Sequence, residues 1–302
     1  MFITVAICTW NRAILLDKTL TQMHRLCVPD DVEWELLVVN NNCSDDTDAV
    51  IGRHADILPI RRIHEMKTGL SNARNTAVHN AKGDYIIWTD DDVLVDEKWL
   101  EAYVCAFRKY PECAVFGGPI LPWFENTPPT WLGENWELVS AAFAARDFGD
   151  TEIPLDPHND ILPFGANFAV RMLEQLRFQY DPRLGIQGDT RILGEETEII
   201  INILISGNTG WWITRAKVKH YIPKQRQTLK YIAQYYIGQG KTRTIQGGLK
   251  DNATLLFGKP RWLYRKIVET HTKYWIRRLL FGSSASVKAL IDANIYLGLI
   301  KK

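Results

Sequence analysis

The sequence predicts an α/β fold: a mostly parallel central sheet flanked by helices, followed by a basic helical C-terminal region. Three observations lead there. Strand-like apolar runs alternate with helical patterns between Phe2 and Phe116, the rhythm of a parallel sheet covered on both faces. Dense polar clusters follow several of those runs directly. The charge is balanced overall, with 36 Lys and Arg against 35 Asp and Glu, yet from residue 216 onward 18 basic residues face three acids, Asp251, Glu269 and Asp292. Such asymmetry points the tail toward something anionic: a membrane surface, nucleic acid or a phosphorylated ligand.

A chain of 302 residues can form one large domain or two unequal ones. Its five cysteines are odd in number and lack paired metal spacing, which fits reduced thiols in a cytosolic protein. No basic segment precedes the apolar residues 2–7, so no signal peptide is expected. No apolar run approaches the ~18 residues that a membrane span requires.

Residues 2–8 read as a buried strand, with Thr9-Trp10-Asn11-Arg12 at its carboxyl end and a helical pattern over 13–26. A second strand, 34–39, ends in Asn40-Asn41-Asn42-Cys43-Ser44-Asp45-Asp46, which is too polar for a strand and reads as a turn or ligand loop. A short helix over 47–54 and a strand over 59–63 follow, then a helix over 71–80 with Gly83 just beyond it. The strand 85–89 runs into Asp90-Asp91-Asp92, and a helix over 97–110 and a strand over 114–116 come next. Open sheets bind ligands outside the carboxyl ends of their strands, where the clusters 9–12, 40–46 and 90–92 all fall. Neither Gly-x-Gly-x-x-Gly after the first strand nor a P-loop is present, so a nucleotide would be held by side chains and a metal.

Two like charges ~4 Å apart repel by about 1 kcal/mol in water and several-fold more where partly buried. Three consecutive aspartates therefore call for a cation or a set of donors. Strand alternation would put Asp90 and Asp92 on one face and Asp91 on the other, giving hard oxygen ligands suited to Mg²⁺ or Mn²⁺. The competing reading is a solvated acidic turn, with Asp96 capping the next helix.

Residues 119–133 carry Pro119, Pro122, Pro128 and Pro129 among Trp123, Phe124 and Trp131 and read as irregular: a sugar-stacking wall, a lid, or a loop pinned by its aromatics. A strand over 164–170 and a helix from Met172 are expected next. Glu195, Glu196 and Glu198 open an apolar helix through 205; the helix dipole alone accounts for them, or one faces the cleft and accepts a proton. A strand over 211–213 follows. His220 then ends a strand and is either structural or a metal ligand. From residue 227 the chain reads as helical, and 261–268 and 274–281 mix Trp and Tyr with Arg and Lys. That pattern suits a helix at a lipid surface or a helix pair packed on the preceding domain.

Residues 3–226 resemble the family 2 glycosyltransferases. Val5-Ala6-Ile7-Cys8-Thr9-Trp10-Asn11-Arg12 is similar to the family's first strand and turn, and Leu37 to Thr47 to its "VVDNxSxDxT" loop. Gly69-Leu70-Ser71-Asn72-Ala73-Arg74-Asn75, Asp90-Asp91-Asp92, Gly165-Ala166-Asn167-Phe168-Ala169, Asp181-Pro182-Arg183-Leu184-Gly185 and Gly194-Glu195-Glu196 follow in the family's order. The resemblance implies inverting transfer of a sugar from a nucleotide-sugar, usually UDP-linked, to a hydroxyl of a glycan or lipid-linked acceptor in polysaccharide biosynthesis. It implies that Thr9, Asn11 and Arg12 flank the nucleotide, that Asn40 or Asn41 faces the base, and that Arg74 lines the same pocket. Asp90 and Asp91 would bind the donor, and Asp90, Asp92 and His220 would hold Mn²⁺ or Mg²⁺. Glu196, with Glu195 beside it, would be the base.

The corresponding domains are a GT-A domain over 1–226, with a nucleotide-sugar half (1–118) and an acceptor half (119–226), and the basic region 227–302. The expected location is cytoplasmic, at the inner face of the cell membrane through 227–302, with no nucleic-acid partner. Two departures matter. Asn40 replaces the family's frequent aspartate. Glu196 replaces another, and its extra methylene shifts the carboxylate by ~1 Å, a displacement that costs up to 100-fold unless the backbone compensates, as is expected here. The alternatives are a nucleotidyltransferase, which would carry a Gly-rich basic loop after the first strand, and a catalytically weak sugar-nucleotide-binding module.

Overall fold

A computed structural model of the chain describes residues 1–187, 190–192, 194–245, 247 and 254–301, with backbone alone at 185–187, 190–192 and 245. Its contacts divide it into two units. The first comprises Met1–Trp123, Ala144–Asp189 and Gly194–Tyr221; the second comprises Phe124–Phe143, Thr190–Leu193 and Ile222–Lys302.

The strands are β1 (Phe2–Thr9), β2 (Glu33–Asn40), β3 (Ile60–His64), β4 (Tyr85–Asp90), β5 (Val93–Val95), β6 (Val115–Gly117), β7 (Ile120–Phe124), β8 (Ile153–Pro154), β9 (Asn167–Arg171), β10 (Gly185–Gln187), β11 (Thr190–Ile192), β12 (Gly210–Trp212) and β13 (Val218–Ile222). The helices are α1 (Ala13–Met23), α2 (Thr47–His54), α3 (Leu70–Asn80), α4 (Trp99–Lys109), α5 (Thr130–Glu134), α6 (Trp136–Val139), α7 (Met172–Gln175), α8 (Glu195–Ile205), α9 (Leu229–Ile245) and α10 (Arg261–Ile300).

In the first unit an eight-stranded sheet runs in the order β3-β2-β1-β4-β9-β6-β12-β8. The strands β3, β2, β1 and β4 are parallel, and β9 enters antiparallel between β4 and β6. Alternation divides each central strand between two cores. Ile3, Val5, Ile7, Leu36, Val38 and Ile87 pack on one face; Ala6, Leu37, Val39, Ile86 and Trp88 pack on the other. Burial on both faces is why these strands read as continuous apolar runs. Trp88, Trp99, Trp212 and Tyr103 are fully buried, and each such ring contributes roughly 1.5–3 kcal/mol or more relative to exposure. Register decides what meets at the carboxyl edge: Thr9 lies beside Asn40, and Cys8 beside Asp90.

Several local expectations are corrected. Residues 120–124 form β7, on the edge of a three-stranded sheet ordered β5-β13-β7, where Pro122 costs no ladder bond; α5 follows within the stretch expected to be irregular. Asp96 does not cap α4. Its carboxylate accepts from the Lys98 backbone N–H at 2.9 Å, closing an Asx turn one step before the helix starts at Trp99. Residues 164–166 form a turn, Asn167 N–H donating to the Phe164 carbonyl at 3.0 Å, so the strand begins at Asn167.

In the second unit Leu132, Phe143, Ile232, Val287 and Leu290 form a separate core. Tyr231 and Tyr236 donate their hydroxyls to the carbonyls of Ala142 and Leu138, at 2.8 and 2.7 Å. Helix α10 breaks at Gly282, whose φ of 83° lies in the left-handed region. Its later part packs on α9 so closely at Gly240 and Gly298 that a Cβ on either glycine would meet the other's Cα within 2.9 Å.

Candidate active site

Three loops at the carboxyl edge of β1, β2 and β4 are stitched to one another. Asn11, at φ 52°, accepts the Ser44 backbone N–H on its Oδ1 at 2.8 Å. Asp45 accepts the Ala13 N–H at 2.9 Å, fixing the start of α1. Asn40 accepts from Cys43 N–H at 2.8 Å and donates to Asp48 Oδ1 at 2.7 Å, so its amide organises its own loop. Asn41 donates to the Lys67 carbonyl at 2.7 Å and accepts Gly69 N–H at 2.8 Å. Gly69 holds φ 124°, a conformation that a side chain would strain.

An open cleft of about 660 Å³ lies along this edge, and Thr9, Arg12, Asn41, Asp90 and Asp91 face it. Asn11 and Asn40 support the loops around it without lining it. Trp10, Thr68 and Leu70 also line it. Sequence reasoning assigned them no role, and only their adjacency to Thr9 and Gly69 signals them.

The aspartate run leaves the strand at Asp90, so the expected alternation stops there. Asp91 and Asp92 sit in a turn and share one cation: Arg12 Nη1 is 2.9 Å from Asp91 Oδ1 and 3.0 Å from Asp92 Oδ2. Thr9 donates to Asp91 Oδ2 at 2.8 Å, and Thr19 donates to the Asp91 carbonyl at 3.0 Å. The geometry still brings Asp90, Asp92 and His220 together, with one ligand atom from each within 4.8 Å of the others. Antiparallel pairing of β13 with β5 sets His220 opposite Val93, with its Nε2 3.3 Å from Asp92 Oδ1.

His220 Nδ1 is buried and, among the described residues, has no hydrogen-bond partner. Two carboxylates with an imidazole nitrogen left over are a donor set that fits Mn²⁺ or Mg²⁺ better than a solvated turn. Burial, then repulsion from Asp92, raises the Asp90 carboxyl above its ordinary value. Burial pushes Asp91 up to about 6 against the pull of Arg12.

A second charged cluster stands on α3 and α8. Arg74 is 3% exposed; its Nη1 lies 3.1 Å from Glu195 Oε1 and 3.5 Å from Glu196 Oε2. The guanidinium also sits over Trp88 and Tyr180, 5.8 and 5.5 Å from the ring centroids. Burial disfavours its charge, but Glu195 and Glu196 outweigh that and raise its pKa. Burial, then the charge of Glu196, pushes Glu195 up to about 8 against the pull of Arg74. The Glu196 side chain is 18% exposed against 6% for Glu195, so it is the more open of the pair. Gly165 makes room for them: a Cβ there would lie 2.7 Å from Arg74 Nη2 and 3.1 Å from Glu196 Oε1.

Residues 4–172 match the family model described as Glycosyl transferase family 2. The succinoglycan biosynthesis protein ExoM of Rhizobium meliloti is 24% identical over 247 residues, 80% of this chain and 74% of its own. A GalNAc(5)-diNAcBac-PP-undecaprenol beta-1,3-glucosyltransferase of Campylobacter jejuni is 26% identical over 48% of this chain and 47% of its own. Among solved structures, the mannosyltransferase PcManGT of Pyrobaculum calidifontis, in complex with GDP-Man and Mn²⁺, superposes with a TM-score of 0.61 at 16% identity over 97% of this chain and 86% of its own. TarS 1-349 of S. aureus, in complex with UDP-GlcNAc, does so at 0.59 and 13% over 99% and 90%. The family model spans more than half of the sequence and the fold is common to both structures, so the chain belongs to glycosyl transferase family 2 and is a glycosyltransferase of GT-A architecture.

Proposed function

We propose that this enzyme moves a sugar from a UDP-linked donor to a hydroxyl of a glycan or lipid-linked acceptor, with inversion at the anomeric carbon and dependence on a divalent cation. The observation that carries this reading is the convergence of Asp90, Asp92 and His220, of which Asp90 lines the same cleft as Thr9, Arg12 and Asn41. The neighbouring folds bound to GDP-Man with Mn²⁺ and to UDP-GlcNAc support a nucleotide-sugar there. The relatives named for succinoglycan biosynthesis and for an undecaprenol-linked acceptor support the acceptor class. On this reading residues 1–118 are the donor half and 119–226 the acceptor half, with 227–302 an appended helical region. Free cysteines throughout support a reducing, cytoplasmic setting.

Asp90, Asp92 and His220 would hold Mn²⁺ or Mg²⁺, which stabilises the charge developing on the diphosphate leaving group. Arg12 neutralises Asp91 and part of Asp92, so the cluster keeps a net negative charge suited to one dication. Asn41 and the backbone around Gly69 shape the wall beside the nucleotide, with Thr9 flanking it and Asn11 and Asn40 bracing the loops around it. Glu196 accepts the proton of the acceptor hydroxyl, while Arg74, 3.5 Å away, aims its carboxylate. Glu195 competes for the same arginine and keeps a proton of its own up to about pH 8.

The test is calorimetric titration of the purified chain with UDP, GDP, dTDP and CMP, first with Mn²⁺ and then with EDTA. Metal-dependent binding of UDP is the expected result. Metal-dependent binding of GDP instead would overturn the uracil assignment, and equal binding in EDTA would overturn the metal site.

A further inference from the structure

We propose that residues 255–281, in the second unit, form a docking surface for an anionic lipid bilayer. In the first part of α10, Leu263 is buried and Tyr264, Ile267, His271, Tyr274 and Arg278 are half-buried, a spacing of three and four that marks the inward stripe. Across the helix, Val268, Trp275, Ile276, Leu279 and Leu280 are 51–80% exposed. Val268, Trp275 and Leu279 recur at the spacing of one helical face, and Phe281, on another side of the helix, is exposed next to the break at Gly282. A single exposed leucine is ordinary in a folded protein, but a row of them beside a tryptophan is an interaction surface.

A neighbouring element repeats the pattern. The strands Leu255–Leu256 and Lys259–Pro260 form a hairpin whose turn residue Phe257 is 88% exposed at φ 48°, a backbone conformation disfavoured for an aromatic residue. Its ring lies 6.3 Å from that of Tyr264, which places the apolar tip at the start of the same helix.

Charge identifies the occupant. Residues 261–281 contain Arg261, Arg265, Lys266, Lys273, Arg277 and Arg278 against one acid, Glu269, whose carboxylate is 3.1 Å from Lys266 Nζ. Lys266, Lys273 and Arg277 lie seven and four residues apart and form a row beside Ile276 and Leu280, which stand three residues from Lys273 and Arg277, at the edge of the exposed apolar face away from Val268, Trp275 and Leu279. Pairing two copies through this face would bring like charges together, because a two-fold interface places the same patch on both sides. No helix among the described residues is long and apolar enough to cross a membrane. An apolar stripe with a cationic flank and too little hydrophobicity to span suits a helix lying in the plane of an anionic headgroup layer. This placement is independent of the donor chemistry, and it would bring the enzyme to lipid-borne acceptors.

Flotation of the full chain with vesicles of phosphatidylcholine alone, or mixed with phosphatidylglycerol, tests the proposal. The wild type is expected to float with the anionic vesicles, to leave them as salt rises, and to shift the emission of Trp275 to the blue on binding. Replacing Lys266, Lys273 and Arg277 together by Gln should lower partitioning on the order of 100-fold, at roughly fivefold per cation. The pair Trp275→Ser and Leu279→Ser should abolish the fluorescence shift. UDP affinity should be unchanged in both variants, which confirms a folded protein and separates failure of the lipid surface from failure of the donor site. Equal binding to neutral vesicles, absence of binding, or a solution dimer dissolved by Trp275→Ser and Leu279→Ser would overturn the proposal.

Discussion

Arg12 and Arg74 each hold two carboxylates through a single Nη1 atom, yet the two clusters end in different chemistry. Around Arg12 there are three aspartates and an imidazole, so more than one negative charge is left over, and the ligand atoms of Asp90, Asp92 and His220 stand close enough to share an ion. Among the described residues two glutamates pair with Arg74, so about one charge of the pair is left over, and burial assigns it a proton: Glu195 is pushed up to about 8. On the proposed reading, excess negative charge is thus resolved by a dication at one cluster and by a proton at the other. Ligand count and burial make the difference, because both clusters begin from the same arginine–carboxylate fork.

Substitutions that change the leftover charge should break this contrast. Asp92→Ala removes a proposed metal ligand and the second partner of Arg12; transfer should fall by about 10³–10⁴-fold, with loss of the Mn²⁺-dependent part of UDP binding. Retention of that binding would disprove the metal assignment. Glu196→Gln should lower kcat by about 10²–10³-fold while leaving UDP affinity within twofold. If transfer were to persist in this variant, the base would have to lie elsewhere.

Arg74→Met should destabilise the fold by about 3–5 kcal/mol, since it strands the buried Glu195 and the half-buried Glu196 without a cation. Denaturant titration should show this deficit shrinking as pH falls, because protons then replace the guanidinium. Gly165→Ala, whose Cβ would stand 2.7 Å from Arg74 Nη2, should displace the fork. The expected cost is up to 100-fold in kcat with little change in Tm; an undiminished kcat would show that the fork tolerates movement.

The smallest expected effect is on pH dependence. The Glu195 carboxyl is raised in the fold to about 8 from an ordinary 4.5. Between those values the folded protein binds more protons than the unfolded chain, so this contribution to stability is complete below about pH 4.5 and is lost as pH rises through about 8. Glu195→Gln should flatten that limb of the stability profile. A profile identical to wild type would show that Glu195 ionises normally.

Much of this was legible from the sequence for a physical reason. Strands buried on both faces leave unbroken apolar runs, and their carboxyl ends are marked by sudden polarity at Thr9, Asn40 and Asp90. What alternation could not give was the path beyond a strand end: Asp91 and Asp92 turn together toward Arg12 because the ladder no longer constrains them. The proline-rich stretch concealed β7, because an edge strand tolerates Pro122 as an interior one would not. Sharing of Arg74 between Glu195 and Glu196 is a contact across more than 120 positions, which no local pattern reports.

The bonds that join Asn11 to Ser44, Ala13 to Asp45, and Asn41 to Lys67 and Gly69 bear on how this scaffold could be re-engineered. Each loop of the proposed donor pocket uses its neighbour as a template, so the rim behaves as one inherited block. A chimera meant to change the nucleotide accepted would have to transplant residues 9–13, 40–48 and 65–69 together. Grafting any one of these loops alone would leave the buried Asn41 amide, or the Asn11 amide and Asp45 carboxylate at the surface, without their partners.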